Sequence, residues 1–133
     1  MRFDPYLIFD GNCREAFDFY HRAIGGTITT MMTYGESPEP NLRGIGMDDR
    51  ILHATLDLGG SELLGYDIRP DAYRPTQGFR ITLQVASLEE GQRVFAPLAE
   101  GGTIKIPLAA TFWSKAYGEL TDCFGISWMI NAA

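Results

Sequence analysis

Asn12-Cys13-Arg14-Glu15 opens a helical pattern that runs out at Gly25-Gly26-Thr27-Ile28, and Ser87-Leu88-Glu89-Glu90 opens another that runs out at Gly101-Gly102-Thr103-Ile104. The two starts lie 75 residues apart and the two Gly-Gly-Thr-Ile stops 76 apart. A repeat this long in a chain of 133 residues means two similar halves. It also leads one to expect a ligand in a cleft that the halves build together.

In the first half, Asn12 is a good N-cap and Glu15 stands where it can reach back to it, a variant of the capping box. Ala16, Phe19, Tyr20, Ala23 and Ile24 follow at helical spacing and predict one apolar stripe. In the second half, Ser87 and Glu90 form a proper box, and Gly91, Val94, Phe95, Leu98 and Ala99 repeat the stripe. Pro97 falls inside that pattern. An interior proline costs about 3 kcal/mol or more, so the second helix is expected to kink there or to end near Phe95.

Strands are predicted on both sides of each helix. They cover 5–9, 27–34, 51–58 and 61–66 in the first half, and 79–85, 103–108, 114–121 and 126–131 in the second. Asp57-Leu58-Gly59-Gly60 and Asp122-Cys123-Phe124-Gly125 correspond, each just before the last strand of its half. Residues 35–49, with two prolines and three glycines, read as a long loop able to lid a cleft. The expected fold is α+β: two βαβββ modules with about eight strands and two helices in a single domain over 1–133. The first module spans about 1–67, a linker 68–78 and the second module about 79–133.

The bulk numbers exclude several classes. Net charge is −6, with 11 basic against 17 acidic residues. Phosphate backbones select for clustered Lys and Arg, so nucleic acid is not an expected partner. No apolar run reaches the roughly 18 residues needed to span a bilayer, and Met1-Arg2-Phe3-Asp4-Pro5 does not open a signal peptide. The expectation is a cytoplasmic protein that is not a membrane protein. Cys13 and Cys123 read as two reduced thiols, with no Cys-x-x-Cys pair.

Several segments together carry a family likeness. They are Tyr6-Leu7-Ile8-Phe9-Asp10-Gly11-Asn12-Cys13-Arg14-Glu15-Ala16 with Phe19-Tyr20, His53-Ala54-Thr55-Leu56, Thr111-Phe112-Trp113, and the ending Asp122-Cys123-Phe124-Gly125-Ile126-Ser127-Trp128-Met129-Ile130-Asn131. The chain resembles the PhnB-like branch of the vicinal oxygen chelate (VOC) superfamily, which includes glyoxalase I, extradiol dioxygenases and bleomycin-resistance proteins. Members of the branch are labelled as 3-demethylubiquinone methyltransferase-like. The sequence holds no Gly-rich strand–turn–helix of the nucleotide-binding type, so methyl transfer is not expected. The resemblance implies a homodimer.

In metal-using members of the superfamily, the first and last strands of each half supply His and Glu ligands to a divalent ion. Carried onto this chain, the first-strand positions fall on Pro5 or Tyr6 and on Arg80 or Ile81. The last-strand positions fall on Leu64 and Met129. None is a His or a carboxylate, which leads one to expect an apolar cavity wall and no cofactor. The weak alternative is a shifted divalent-metal site at His53 and Glu62, two ligands where three or four are wanted.

Trp113 and Tyr117 are expected beside the cleft, and Trp128 in the core. Asn131 and Ser127 share the face of Met129 and could orient a polar ligand. Asp122 and Asp67 read mainly as turn residues, and His21 as a solvent residue. The expected function is small-molecule binding in an apolar, aromatic cleft lined by Tyr6, Leu64, Trp113, Tyr117, Met129 and Asn131. The alternatives are a metal-dependent isomerase, lyase or dioxygenase with shifted ligands, in which His53 and Glu62 would be catalytic, and a bleomycin-type drug-sequestering protein.

Overall fold

A computed structural model describes all residues, 1–133. The chain divides into two compact units, Met1–Arg74 and Pro75–Ala133. The first unit holds β1 (Tyr6–Phe9), α1 (Cys13–Ile24), β2 (Thr27–Thr33), β3 (Ile51–Asp57) and β4 (Glu62–Asp67). The second holds β5 (Ile81–Gln84), α2 (Leu88–Ala99), β6 (Thr103–Ala109), β7 (Ala116–Thr121) and β8 (Ser127–Ala132). Each unit is thus βαβββ, and the α+β class expected from the repeat is the observed one.

The sheets have matching topologies, β1-β4-β3-β2 and β5-β8-β7-β6. In each, the first and last strands run parallel and the other neighbours antiparallel. Parallel neighbours need a long crossover. Here the helix and the two strands that follow it supply one.

Each helix covers one face of its own sheet. Strand alternation turns Leu7, Phe9, Ala54, Leu56 and Leu63 to the helix side of the first sheet, and all are buried. They meet Cys13, Ala16, Phe17, Tyr20 and Ala23 of α1. The stripe therefore runs through Phe17 rather than Phe19, which is only half-buried. Cys13 sets this phase, because Cys13, Ala16, Phe17 and Tyr20 recur at i, i+3, i+4 and i+7. Phe17 packs edge-on to Phe9 at 6.3 Å and to Tyr20 at 6.0 Å. Gly65 of β4 makes room for it, since a Cβ there would stand 2.6 Å from the Phe17 ring. In the second unit Val94, Phe95 and Leu98 cover Ala116, Leu120, Trp128 and Ile130. Gly118 makes room for Phe95 in the same way, a Cβ there falling 2.8 Å from that ring.

Two further local expectations are corrected. Asn12 occupies the N-cap of α1, but its side chain makes no capping bond. The buried carboxylate of Asp67 takes over: Oδ1 accepts from Gly11 N at 2.9 Å and Cys13 N at 3.1 Å, and Oδ2 accepts from Ile51 N at 2.8 Å. Pro97 does not end α2 early, and the helix continues to Ala99. The ring removes one N–H, which would have bonded Arg93 O, and two further residues stay helical beyond it. The Ser87 box forms, with Ser87 Oγ accepting from Glu90 N at 3.2 Å while Glu90 Oε2 accepts from Ala86 N at 2.7 Å.

The stretch read as a loop over 35–49 is tied at its base. Tyr34 N donates to Arg50 O and Gly35 N to Asp48 O. Tyr34, Ser37 and Met47 are buried, and Tyr34 Oη donates to Asp67 O at 2.6 Å. No helix is long and apolar enough to cross a membrane.

Candidate functional site

With α1 on one side of the first sheet, the other face is left open. Alternation places Tyr6 and Ile8 (β1), Leu64 and Tyr66 (β4), His53 and Thr55 (β3) and Met32 (β2) on it, in the register Tyr6–Leu64, Ile8–Tyr66, Thr55–Leu64 and Met32–His53. Tyr6 and Ile8 keep 47% and 38% of their surface accessible, a large apolar exposure for neighbouring strand positions. Tyr6 packs edge-on to Tyr66 at 5.6 Å.

A polar thread crosses this face. Tyr6 Oη lies 3.2 Å from His53 Nδ1, and Thr55 Oγ1 lies 3.3 Å from His53 Nε2. A neutral imidazole has one donor and one acceptor nitrogen, and either hydroxyl can play either part. When Nδ1 carries the proton, it donates to Tyr6, and the Tyr6 hydroxyl is free to donate outward. Burial, then the neighbouring Tyr66, push the Tyr6 phenol above its usual value, so it stays protonated at neutral pH.

Glu62 does not join this cluster. It pairs across the sheet with Asp57, its side chain lies 3.6 Å from Arg2, and its backbone N–H donates to Asp4. His53 is four residues from Asp57 along β3, so roughly 13 Å separates the two sites at strand rise. The structure does not bring His53 and Glu62 together as metal ligands, and no group of three or more His, Cys, Asp or Glu side chains assembles.

The open face of the second sheet is more polar. Tyr117, Glu119 and Thr121 of β7 stand opposite Asn131, Met129 and Ser127 of β8. Glu119, only 12% exposed at its side chain, accepts from Tyr117 Oη at 2.7 Å, and its Oε1 forms an ion pair with Arg80, 3.1 Å from Nε. That hydrogen bond, more than burial, holds the Tyr117 phenol above its usual value. Asn131 Nδ2 donates to Gln84 Oε1 at 2.9 Å. Trp113, in the β6–β7 connection and 57% exposed, turns its ring toward Tyr117 at 5.7 Å. Trp113, Tyr117 and Asn131 therefore cluster, and Met129 lies one pair along beside Glu119. Trp128 points the other way, into the core, where its Nε1 donates to the buried Asp122 carboxylate at 2.9 Å. Asp122 also accepts from Phe124 N and Ile126 N across the turn.

The positions corresponding to superfamily ligands can now be read from register. Tyr6 faces Leu64 in the first unit, and Thr82 faces Met129 in the second. Thr82, not Arg80 or Ile81, is thus the partner of Met129. Arg80 precedes β5 and is engaged with Glu119. A phenol, an aliphatic chain, a hydroxyl and a thioether are not the imidazole and carboxylate donors that hold a hard or borderline divalent ion. The residues present do not fit that metal.

Glu119 escaped the sequence reading. Its signal was the alternation of β7, where Tyr117, Glu119 and Thr121 alternate with the buried Gly118 and Leu120.

A family model described as 3-demethylubiquinone-9 3-methyltransferase matches residues 1–131. Protein YjdN of Escherichia coli K12 is 35% identical, over 98% of this chain and 95% of its own length. The crystal structure of protein PA1353 from Pseudomonas aeruginosa superposes with a TM-score of 0.90 at 44% identity, covering 99% of this chain and 97% of that one. A putative 3-demethylubiquinone-9 3-methyltransferase, PhnB protein, from Bacillus cereus superposes at 0.76 with 28% identity over the whole of both chains.

Proposed function

Because the chain belongs to the PhnB-like branch of the VOC superfamily, we propose that it binds a small molecule on the open faces of its sheets, without the four-ligand metal site of metal-using members. The observation that carries this reading is the open face of the first sheet. Tyr6, Ile8, Leu64, Tyr66 and Met32 offer an aromatic and aliphatic surface, and the Tyr6–His53–Thr55 thread places a hydroxyl donor on it. A mostly apolar surface with a few placed polar groups is what a small organic ligand needs. The Trp113–Tyr117–Asn131 cluster adds the same combination on the second sheet.

Methyl transfer is not part of the proposal. A nucleotide-type cofactor would use the free N–H groups at a helix N-terminus after a strand. At the β1–α1 turn the N–H groups of Gly11 and Cys13 are already bound by Asp67.

A second reading, proton-transfer catalysis with His53 as general base, draws on the same thread, in which the imidazole has a hydroxyl neighbour at each ring nitrogen. The proposed setting is the cytoplasm and the proposed assembly a homodimer, which light scattering would check.

The test pairs two measurements. Metal content by mass spectrometry, before and after soaking with zinc, nickel, manganese or iron, is expected to show no retained ion. Titration with the neutral aromatic probe 2-naphthylmethanol is expected to saturate and to weaken about tenfold in Tyr6→Ala, a loss of about 1.4 kcal/mol. One tightly held metal per chain, lost in His53→Ala, would sink the metal-free reading. A ligand recovered chemically altered from wild type and unaltered from His53→Gln would favour catalysis.

A further inference from the structure

The second unit contains a cavity of about 530 Å³, within the range that takes a small organic ligand. Arg80, Lys105, Phe79, Thr76, Thr121 and Ser127 are among its lining residues, and no Asp or Glu is. This runs against the composition, in which acids outnumber bases 17 to 11.

The state of each group matters more than the count. Lys105 enters none of the ion pairs or side-chain hydrogen bonds of the chain. Arg80 forms an ion pair with Glu119, 3.1 Å from Nε to Oε1, which tethers the guanidinium at one side and leaves both terminal nitrogens for another acceptor. Thr121 Oγ1 and Ser127 Oγ share one hydrogen bond at 3.3 Å. Two hydroxyls sharing one bond keep a second O–H to donate. Phe79, 49% exposed, adds an aromatic wall. Every unspent polar group named here is a donor, and two are cationic.

We propose that this cavity binds a small organic anion, a carboxylate or phosphate ester carrying a flat apolar body. The oxyanion lies between Arg80 and Lys105 with the Thr121–Ser127 pair donating to it, and the ring lies against Phe79. Charge-assisted bonds to a guanidinium and an ammonium favour such an oxyanion more than neutral bonds do. The inference rests on the proposed small-molecule binding and names the ligand class for the second sheet, since Thr121 and Ser127 belong to its open face.

The experiment is calorimetric titration of the full chain with 2-naphthoate, 2-naphthyl phosphate and neutral 2-naphthylmethanol, in wild type, Lys105→Gln and Phe79→Ala. Lys105 is exposed, so its replacement leaves the fold intact. We expect at least one anion to bind about tenfold tighter than the alcohol, the equivalent of 1.4 kcal/mol. That preference falls severalfold in Lys105→Gln and in 0.5 M salt, while Phe79→Ala weakens binding of the anions. The better of the two anions identifies the oxyanion. Equal binding of anions and alcohol, or a preference untouched by Lys105→Gln, overturns the anion site and leaves the binding reading standing. Binding of none of the three at millimolar concentration overturns both.

Discussion

Asp67 should be the most sensitive polar side chain in the first unit. It is 1% exposed, and its carboxylate accepts three backbone N–H groups from two separate places, the β1–α1 turn and the start of β3. Asp67→Ala removes all three acceptors, and Gly11, Cys13 and Ile51 gain none in exchange. A buried donor left unpaired costs about 1–3 kcal/mol. At about 1.3 kcal/mol for each of three donors, the loss is about 4 kcal/mol, within the class of large single-site effects. Asp67→Asn separates charge and geometry from simple space-filling. Its amide oxygen can serve Gly11 and Cys13, but its NH2 then faces the Ile51 N–H, donor against donor. One bond is lost and two are weakened, for about 2 kcal/mol. Urea unfolding reads both: with a slope of about 2 kcal/mol per molar, the midpoint falls by about 2 M in Ala and about 1 M in Asn. Midpoints within about 0.3 M of wild type for both variants would refute the reasoning, as would Asn being worse than Ala.

Three further expectations follow from single contacts. Gly65→Ala puts a Cβ 2.6 Å from the Phe17 ring and should cost about 2 kcal/mol; in a double-mutant cycle Phe17→Leu should recover part of it, and strict additivity would contradict the clash. Glu119 holds the Tyr117 phenol above its usual value, so above pH about 10 the folded chain keeps a proton that the unfolded chain releases. The stabilisation is whole below that pH and is lost as pH rises through the folded value; the stability gap between wild type and Tyr117→Phe should therefore shrink above pH 10, and a gap constant from pH 8 to 11 would count against it. Burial, reinforced by Asp67, raises the Cys13 thiol far above its usual value, whereas Cys123 is exposed. A thiol reagent at pH 8 should titrate Cys123 in the native protein and Cys13 only after unfolding; two thiols reacting at one rate would exclude the buried placement.

Much of the architecture is legible in the residues alone. Hydrophobic periodicity is a local property, and so are caps and glycine stops. Ser87 with Glu90, the paired Gly-Gly-Thr-Ile stops and the alternation of each strand therefore located both helices and all eight strands to within a residue or two. In α1 the predicted stripe shares Ala16, Tyr20 and Ala23 with the buried one, but takes Phe19 and Ile24 where the folded helix buries Cys13 and Phe17. Only the ring's seat over Gly65, 48 residues away, separates the two phenylalanines.

The candidate site divides along the same line. That Leu64 and Met129 offer no metal donors, and that Trp113 and Tyr117 lie near each other, followed from residue type and nearness in the chain. The pairing of Tyr6 with His53 joins residues 47 apart, and the Asp67 carboxylate caps a helix 54 residues before it. Arg80 meets Glu119 across 39 residues. Strand register makes these encounters. Register in turn depends on the bulges in β2 and β6 and on which side chains each helix face accepts, a balance of packing over the whole unit. Local order was written in the residues because its causes lie within one turn or one pleat. The chemistry on the open faces was decided by the tertiary structure, because a hydrogen bond between distant residues exists only once the core has set the register that brings them within 3 Å or so of each other.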